Sequence, residues 1–297
     1  RTHASAAAQH PSVDLNWGVD PSLAAREGFQ NKLGIPAFDN VNEAFNSASI
    51  DVAVLAVGLD YRQDLLPELL AAKPRVILCE KPLALTAAES NEIASSCADA
   101  GIELIVNYPR RFSSQTQRAK QLIDNGEIGA LRSGHVWYGK GVANSGSHLL
   151  NLLIHLFGPD WKIDQVERVD FDYLDGDFDA SFRMTNGDGS IRFTPLDVKT
   201  FDFAEIDLLF ESGRLRFVNH AHSLVEQTGL SSAGFEGMSQ LTDEVLIADE
   251  SVKNYQLNVL KFIVERINTG AGFEAEVGDA ISTADLVEKV LQRIVQK

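Results

Sequence analysis

Val76-Ile77-Leu78-Cys79-Glu80-Lys81-Pro82-Leu83-Ala84-Leu85-Thr86 is the stretch that decides the fold. Its first four residues are apolar and bounded, the pattern of a strand buried on both faces. Thr86-Ala87-Ala88-Glu89 then reads as a capping box, with threonine as N-cap and glutamate three positions on. The helix it opens should run to Gly101, a residue suited to the left-handed position past a helix end. Glu80, Lys81 and Pro82 therefore sit where a parallel strand ends, the edge at which open α/β sheets hold their ligands.

Working outward, the neighbouring segments repeat this plan. Residues 13–20 alternate like a strand ending in Asp20, and Pro21-Ser22 open a helix through Leu33 closed by Gly34. A short helix near 41–46 leads to a strand over 50–57 that stops at Gly58. Leu65, Leu66, Leu69 and Leu70 follow at helical spacing until Lys73-Pro74, and a strand over 102–106 completes the set. Strands alternating with helices predict a Rossmann-type, doubly wound parallel sheet in an α/β fold. After Asn107 the pattern changes. A helix over 114–125, a strand over 133–138 and a helix over 146–157 precede a run of alternating strands that reaches about Gln227. Strands are expected at 166–173, 180–185, 190–194, 205–210 and 214–218, with a turn at 186–189 and a mobile loop at 231–237. Helices over 252–268 and 279–295 close the chain. The expected division is a dinucleotide-binding domain over 1–107 and, over 108–297, an α+β domain with a large, mostly antiparallel sheet.

The totals narrow the function. The 297 residues, 44% hydrophobic, suffice for two cores. A net charge of −16, from 42 acids against 26 lysines and arginines, argues against a nucleic-acid surface. No apolar run approaches the length of a membrane span. Cys79 and Cys97 are the only cysteines, so a disulfide framework is not expected and a reducing, cytoplasmic setting is. The chain opens at Arg1-Thr2-His3-Ala4, without an initiator methionine and as if inside an alanine-rich helix. It is expected to begin after the true N-terminus.

Three features carry chemistry. Lys81 is delivered to the ligand edge, against the reading of a surface lysine. His148, Asn151 and His155 fall at i, i+3 and i+7 of an otherwise apolar helix, one polar stripe on one face. Buried polar groups need partners, which a ligand or a structural network can supply. Asp20 ends the second strand of a dinucleotide unit, where an acid accepts from ribose hydroxyls and repels a 2′-phosphate, so NAD is expected over NADP. Such an acid lies roughly 20 residues past a glycine fingerprint, which would stand at or before residue 1. His220-Ala221-His222 puts two histidines on one face of an expected strand, but with no third ligand evident no metal is expected. Cys79 reads as packing, and Arg110-Arg111 is too short for a basic patch.

Taken together these residues resemble the Gfo/Idh/MocA family of oxidoreductases, which includes glucose–fructose oxidoreductase and inositol dehydrogenase. Glu80-Lys81-Pro82 resembles that family's Glu-Lys-Pro motif, and 106–112 its crossing segment between domains. Residues 146–155 resemble its active-site helix, with Asn151 where aspartate is usual. The resemblance implies an NAD(H)-dependent oxidoreductase moving a hydride between nicotinamide and a sugar or polyol, free or nucleotide-linked. Lys81, Asn151 and His155 would be catalytic: His155 as general base, Lys81 holding the same oxygen, Asn151 orienting substrate or His155. Asp20, Gly58, Glu80, Lys81, Pro82 and Asn107 would contact the cofactor. Tyr108, Lys140 and His148 would contact the substrate. The resemblance and the apolar alternation of Phe182, Met184, Ile191, Phe193, Ile206, Leu208 and Phe210 imply a homodimer or homotetramer. The competing readings are a non-catalytic dinucleotide or sugar sensor and an NAD-dependent glycosidase of the same fold.

Overall fold

The computed structural model describes residues 2–169, 171, 178–187, 189–199, 201–232, 234, 236–249 and 254–295. Parts of the elements expected at 166–173, 186–189, 231–237 and 252–268 lie outside the described residues.

Helix α1 (Thr2–Ala7) precedes β1 (Gly18–Val19), α2 (Leu23–Leu33), β2 (Ala37–Phe38) and α3 (Val41–Ser47). Next come β3 (Val52–Leu55), α4 (Leu59–Ala72), β4 (Val76–Glu80), α5 (Ala87–Asp99) and β5 (Glu103–Asn107). The local signals act as read. Ser22 accepts from the Ala25 amide, and Gly34 closes α2 at φ 69°. Thr86 and Glu89 cap α5 reciprocally, a contribution of about 1 kcal/mol for the threonine side chain. Strands β3, β4 and β5 pair in parallel in that order. β1 and β2 form a separate parallel pair. The strand expected from residue 13 shrinks to Gly18–Val19, because a strand needs a ladder partner. Val13 and Leu15 pack instead on Ala6, Ala7 and Leu260.

The second part begins with a 3₁₀ turn at Pro109–Phe112, α6 (Ser114–Asp124), β6 (Leu131–Tyr138), a π-helical turn at Gly141–Gly146 and α7 (Ser147–Phe157). Strands β7 (Lys162–Val169), β8 (Asp179–Asn186), β9 (Gly189–Pro195), β10 (Glu205–Phe210), β11 (Gly213–Val218) and β12 (Ser223–Thr228) follow. A hairpin of β13 (Leu230–Ser232) and β14 (Ser239–Leu241) leads to β15 (Val245–Asp249). Ser231 and Ser232, expected in a mobile loop, are thus part of a paired strand. The eight-stranded sheet runs β15-β12-β11-β10-β6-β9-β8-β7, antiparallel except for β6 beside β9. Helices α8 (Tyr255–Thr269) and α9 (Glu274–Val295) end the chain. Helix α9 starts five residues before the expected 279. Glu274 and Glu276 sit in its first turn, where the helix dipole favours acids.

The chain divides into two compact units, Arg1–Asn107 with Gln256–Ile281, and Tyr108–Tyr255 with Ser282–Lys297. The sequence pattern places residues 256–281 in the second domain. The structure groups them with the first, where Leu260 packs on Ala6 and Ala7 and the Phe273 amide bonds Glu103.

One face of the large sheet meets α6, α7 and α9 in a single core containing Ala119, Leu122, Leu149, Leu153, Val290 and Ile294. Phe182, Met184, Ile191, Phe193, Ile206, Leu208 and Phe210 all point into that core. This corrects their use as evidence for a subunit interface. Helix α7 is apolar nearly all round, so the helical layer covers more sheet than a one-faced amphipathic helix would. The opposite face carries Arg183 paired with Asp164 and Arg214 paired with Asp207.

Candidate active site

In the first unit the chemistry gathers at the C-terminal edge of β3–β5. Glu80 is the last residue of β4 and pairs in register with Asn107, the last of β5. Asn107 Nδ2 donates to Glu80 Oε1 at 2.8 Å, and His3 Nε2 lies 2.6 Å from the same oxygen. Burial pushes the Glu80 carboxyl up, but the hydrogen bonds from His3 and Asn107 outweigh it and hold it below the usual range. Glu80 therefore carries a charge at neutral pH and anchors the strand end. Asn107 Oδ1 is buried with no hydrogen-bond partner among the described residues. A buried amide oxygen in that condition needs a donor.

Lys81 follows, half-buried, and the Lys81–Pro82 peptide is cis. Arg62, in the first turns of α4, braces the segment from below. Its guanidinium donates to the carbonyls of Val57 at 3.1 and 3.2 Å, of Leu83 at 3.3 Å and of Pro82. Gly58 is the N-cap of α4 at the end of β3. Cys79 is packing, as expected: burial pushes its thiol up to about 12, which leaves no thiolate at neutral pH. Asp20 is exposed at the end of β1, with one carboxylate oxygen accepting from Ser22 N at 2.8 Å. Arg26 donates to the Asp20 and Pro21 carbonyls, so its charge lies beside Asp20.

In the second unit α7 presents the polar stripe, and the structure gives each member a protein neighbour. Asn151, fully buried, donates from Nδ2 to Thr283 Oγ1 at 3.1 Å. His148 meets the Tyr108 ring edge to face, with centroids 5.6 Å apart. Arg111 Nη2 donates to His155 Nδ1 at 3.0 Å. Burial pulls the His155 imidazole down, and the Arg111 and Lys120 charges pull it further, to about 3. On the stripe, Asn151 Oδ1 and His155 Nε2 stay unsatisfied among the described residues. A purely structural network would have paired them.

The expected roles shift in detail. Asn151 was expected to orient substrate or His155; the group bonded to His155 is Arg111, and Asn151 is tied to Thr283. A base at His155 needs a bare nitrogen toward its substrate, and Arg111 sits on the Nδ1 lone pair. Tyr108, expected as a substrate contact, is 4% exposed with its hydroxyl on Ser147, and burial raises its phenol. Lys140 pairs with Asp202. Residues 219–221 form a turn of three left-handed residues and not a strand, and His222 Nδ1 lies 2.5 Å from the Tyr255 hydroxyl. Sequence reasoning missed His3, Arg62, Arg111 and Thr283. Arg111 stood inside the quoted crossing segment but was weighed only as half of a basic pair.

Residues 1–108 match the GFO_IDH_MocA family model, an oxidoreductase family with an NAD-binding Rossmann fold. An inositol 2-dehydrogenase from Mycolicibacterium gilvum is 40% identical over 98 residues, 32% of this chain and 28% of that protein. A glucose-6-phosphate 3-dehydrogenase from Bacillus subtilis is 25% identical over 248 residues, 83% of this chain and 63% of that one. The chain thus spans less than two thirds of either relative. An oxidoreductase from Agrobacterium radiobacter, solved in complex with NAD+, L-tartaric acid and magnesium, shares the fold. Its TM-score is 0.79 at 17% identity, covering 99% of this chain and 92% of that one.

Proposed function

We propose that this chain, whose first 108 residues match the GFO_IDH_MocA family model, is an NAD(H)-dependent dehydrogenase or reductase of a sugar or polyol. The single observation that carries the reading is the pair of unsatisfied buried atoms on α7, Asn151 Oδ1 and His155 Nε2. A polyhydroxylated substrate supplies acceptors and donors for both. The relatives named above act on a cyclic polyol and a sugar phosphate, which favours this class over the sensor or glycosidase readings.

When bound, the nicotinamide supplies the hydride acceptor or donor. The chain's own residues would do the rest. Asn107 Oδ1 would accept from the cofactor's carboxamide, with Gly58, Glu80, Lys81 and Pro82 lining the same edge. Asp20 would accept from the adenosine ribose hydroxyls and disfavour a 2′-phosphate, giving NAD the preference over NADP. Lys81 would hold the reacting oxygen and stabilise charge on it. His155, Asn151 and His148, all on α7, would meet the substrate. Self-association as a homodimer or homotetramer and a cytoplasmic setting complete the proposal; sedimentation at micromolar concentration tests the first. Among the described residues no helix is long and apolar enough to cross a membrane.

The test is turnover with a panel of inositols, sugars and sugar phosphates, read as NADH formed, beside Lys81→Ala. The variant should lose about 100-fold or more in turnover, the scale of one lost donor on a developing oxyanion, and still bind NAD. Equal turnover in both proteins would refute the role of Lys81. Binding of a sugar without any turnover would refute the dehydrogenase reading.

A further inference from the structure

We infer that Arg111 fixes His155 as a neutral imidazole with its proton on Nε2, so that His155 meets its substrate oxygen as a hydrogen-bond donor and not as a base. The inference rests on the dehydrogenase reading only for the identity of that oxygen. The geometry is otherwise enough. A guanidinium has five N–H donors and no acceptor, so whatever Arg111 Nη2 touches at 3.0 Å must accept. His155 Nδ1 therefore presents its lone pair. The ring's one remaining proton is on Nε2.

Both other states of the ring fail at the same contact. The Nδ1–H tautomer sets two donors face to face. The imidazolium does the same and adds a third positive charge beside Arg111, from the 3₁₀ turn, and Lys120, from α6. Those two cations are the charges that act on the ring, and burial works in the same direction. Among the described residues no acceptor lies on Nε2, although it is buried. An unmet buried donor is costly, and a ligand oxygen would relieve it.

Arg111 is therefore a positioning residue. It is 3% exposed, and Gln117 Nε2 holds its backbone carbonyl at 2.8 Å. A ring set this way polarises a carbonyl or holds an alkoxide without taking a proton, as a neutral histidine does in other active sites.

Long-range proton–nitrogen correlation spectra of the ¹⁵N-labelled protein, with His155 assigned by its loss in His155→Gln, test the state of the ring directly. The expected pattern is the Nε2–H tautomer, unchanged between about pH 5 and pH 8. An Nδ1–H pattern, or protonation near the ordinary histidine value, would overturn the inference. Arg111→Lys, which still offers a donor, should keep the pattern, and Arg111→Met should admit the Nδ1–H tautomer. A ring that behaves identically in all three proteins would also overturn it. Turnover gives a second readout. His155→Gln keeps an amide donor and should exceed His155→Phe by at least about tenfold, whereas equal losses would assign a base. If no sugar turns over, the dehydrogenase reading falls, and the ring spectrum still decides this one.

Discussion

Replacing His155 with glutamine should make the second unit less sensitive to mild acid. In the folded protein the imidazole titrates at about 3, against about 6.5 in an unfolded chain. Below about pH 6.5 the unfolded chain therefore binds a proton that the folded chain refuses, so stability falls as pH falls, and keeps falling until about pH 3. At pH 7.5 the term is negligible. At pH 5.5 it is about 1.4 kcal/mol, from RT times the logarithm of the ratio of the two binding factors, and at pH 4.5 about 2.7 kcal/mol. Glutamine has no such term. The variant differs from the native protein by some fixed offset, and the gap between them should shift by about 1.4 kcal/mol in the variant's favour on going from pH 7.5 to 5.5. Urea unfolding at each pH, followed by tryptophan fluorescence, measures this, since Trp137 and Trp161 lie in the same unit as His155. Carboxylates and other histidines titrate equally in both proteins and cancel. Parallel stability curves across that range would show that His155 protonates freely when folded, and the contact with Arg111 would then not hold in solution.

Arg62→Met should destabilise the first unit by about 2–4 kcal/mol in urea, because it keeps the apolar stem but strips charged donors from three carbonyls; a loss under 1 kcal/mol would mean that the Lys81 loop holds its shape without it. Thr86→Ala should cost about 1 kcal/mol through loss of the α5 cap, and Thr86→Ser should recover most of it, as read by thermal unfolding. Asp20→Ser should raise efficiency with NADP relative to NAD, measured as kcat/KM for each cofactor. Comparable or better efficiency with NADP in the native protein would defeat the role given to Asp20, with Arg26 the residue to examine next.

Glu80-Lys81-Pro82 could be found from sequence because everything that places it is local. A short apolar run bounded on both sides fits a buried strand, a threonine with a glutamate three residues on can start a helix, and a loop must join them. The same holds for Gly34 and Gly101, whose left-handed backbone follows from neighbours within a turn. The spacing of His148, Asn151 and His155 likewise needed only the period of a helix. What each of them touches was decided elsewhere in the chain: Arg111 reaches His155 from 44 residues away and Thr283 reaches Asn151 from 132. The tautomer of His155 is a property of that contact, and no pattern within α7 contains it. Tertiary structure also decided which face of the eight-stranded sheet is covered, because alternation in a strand marks an apolar face without saying whether helices of the same chain or another molecule will bury it. It assigned residues 256–281 to the first unit for the same reason. An amphipathic helix carries its apolar stripe wherever it goes, and only the assembled core has the complementary surface.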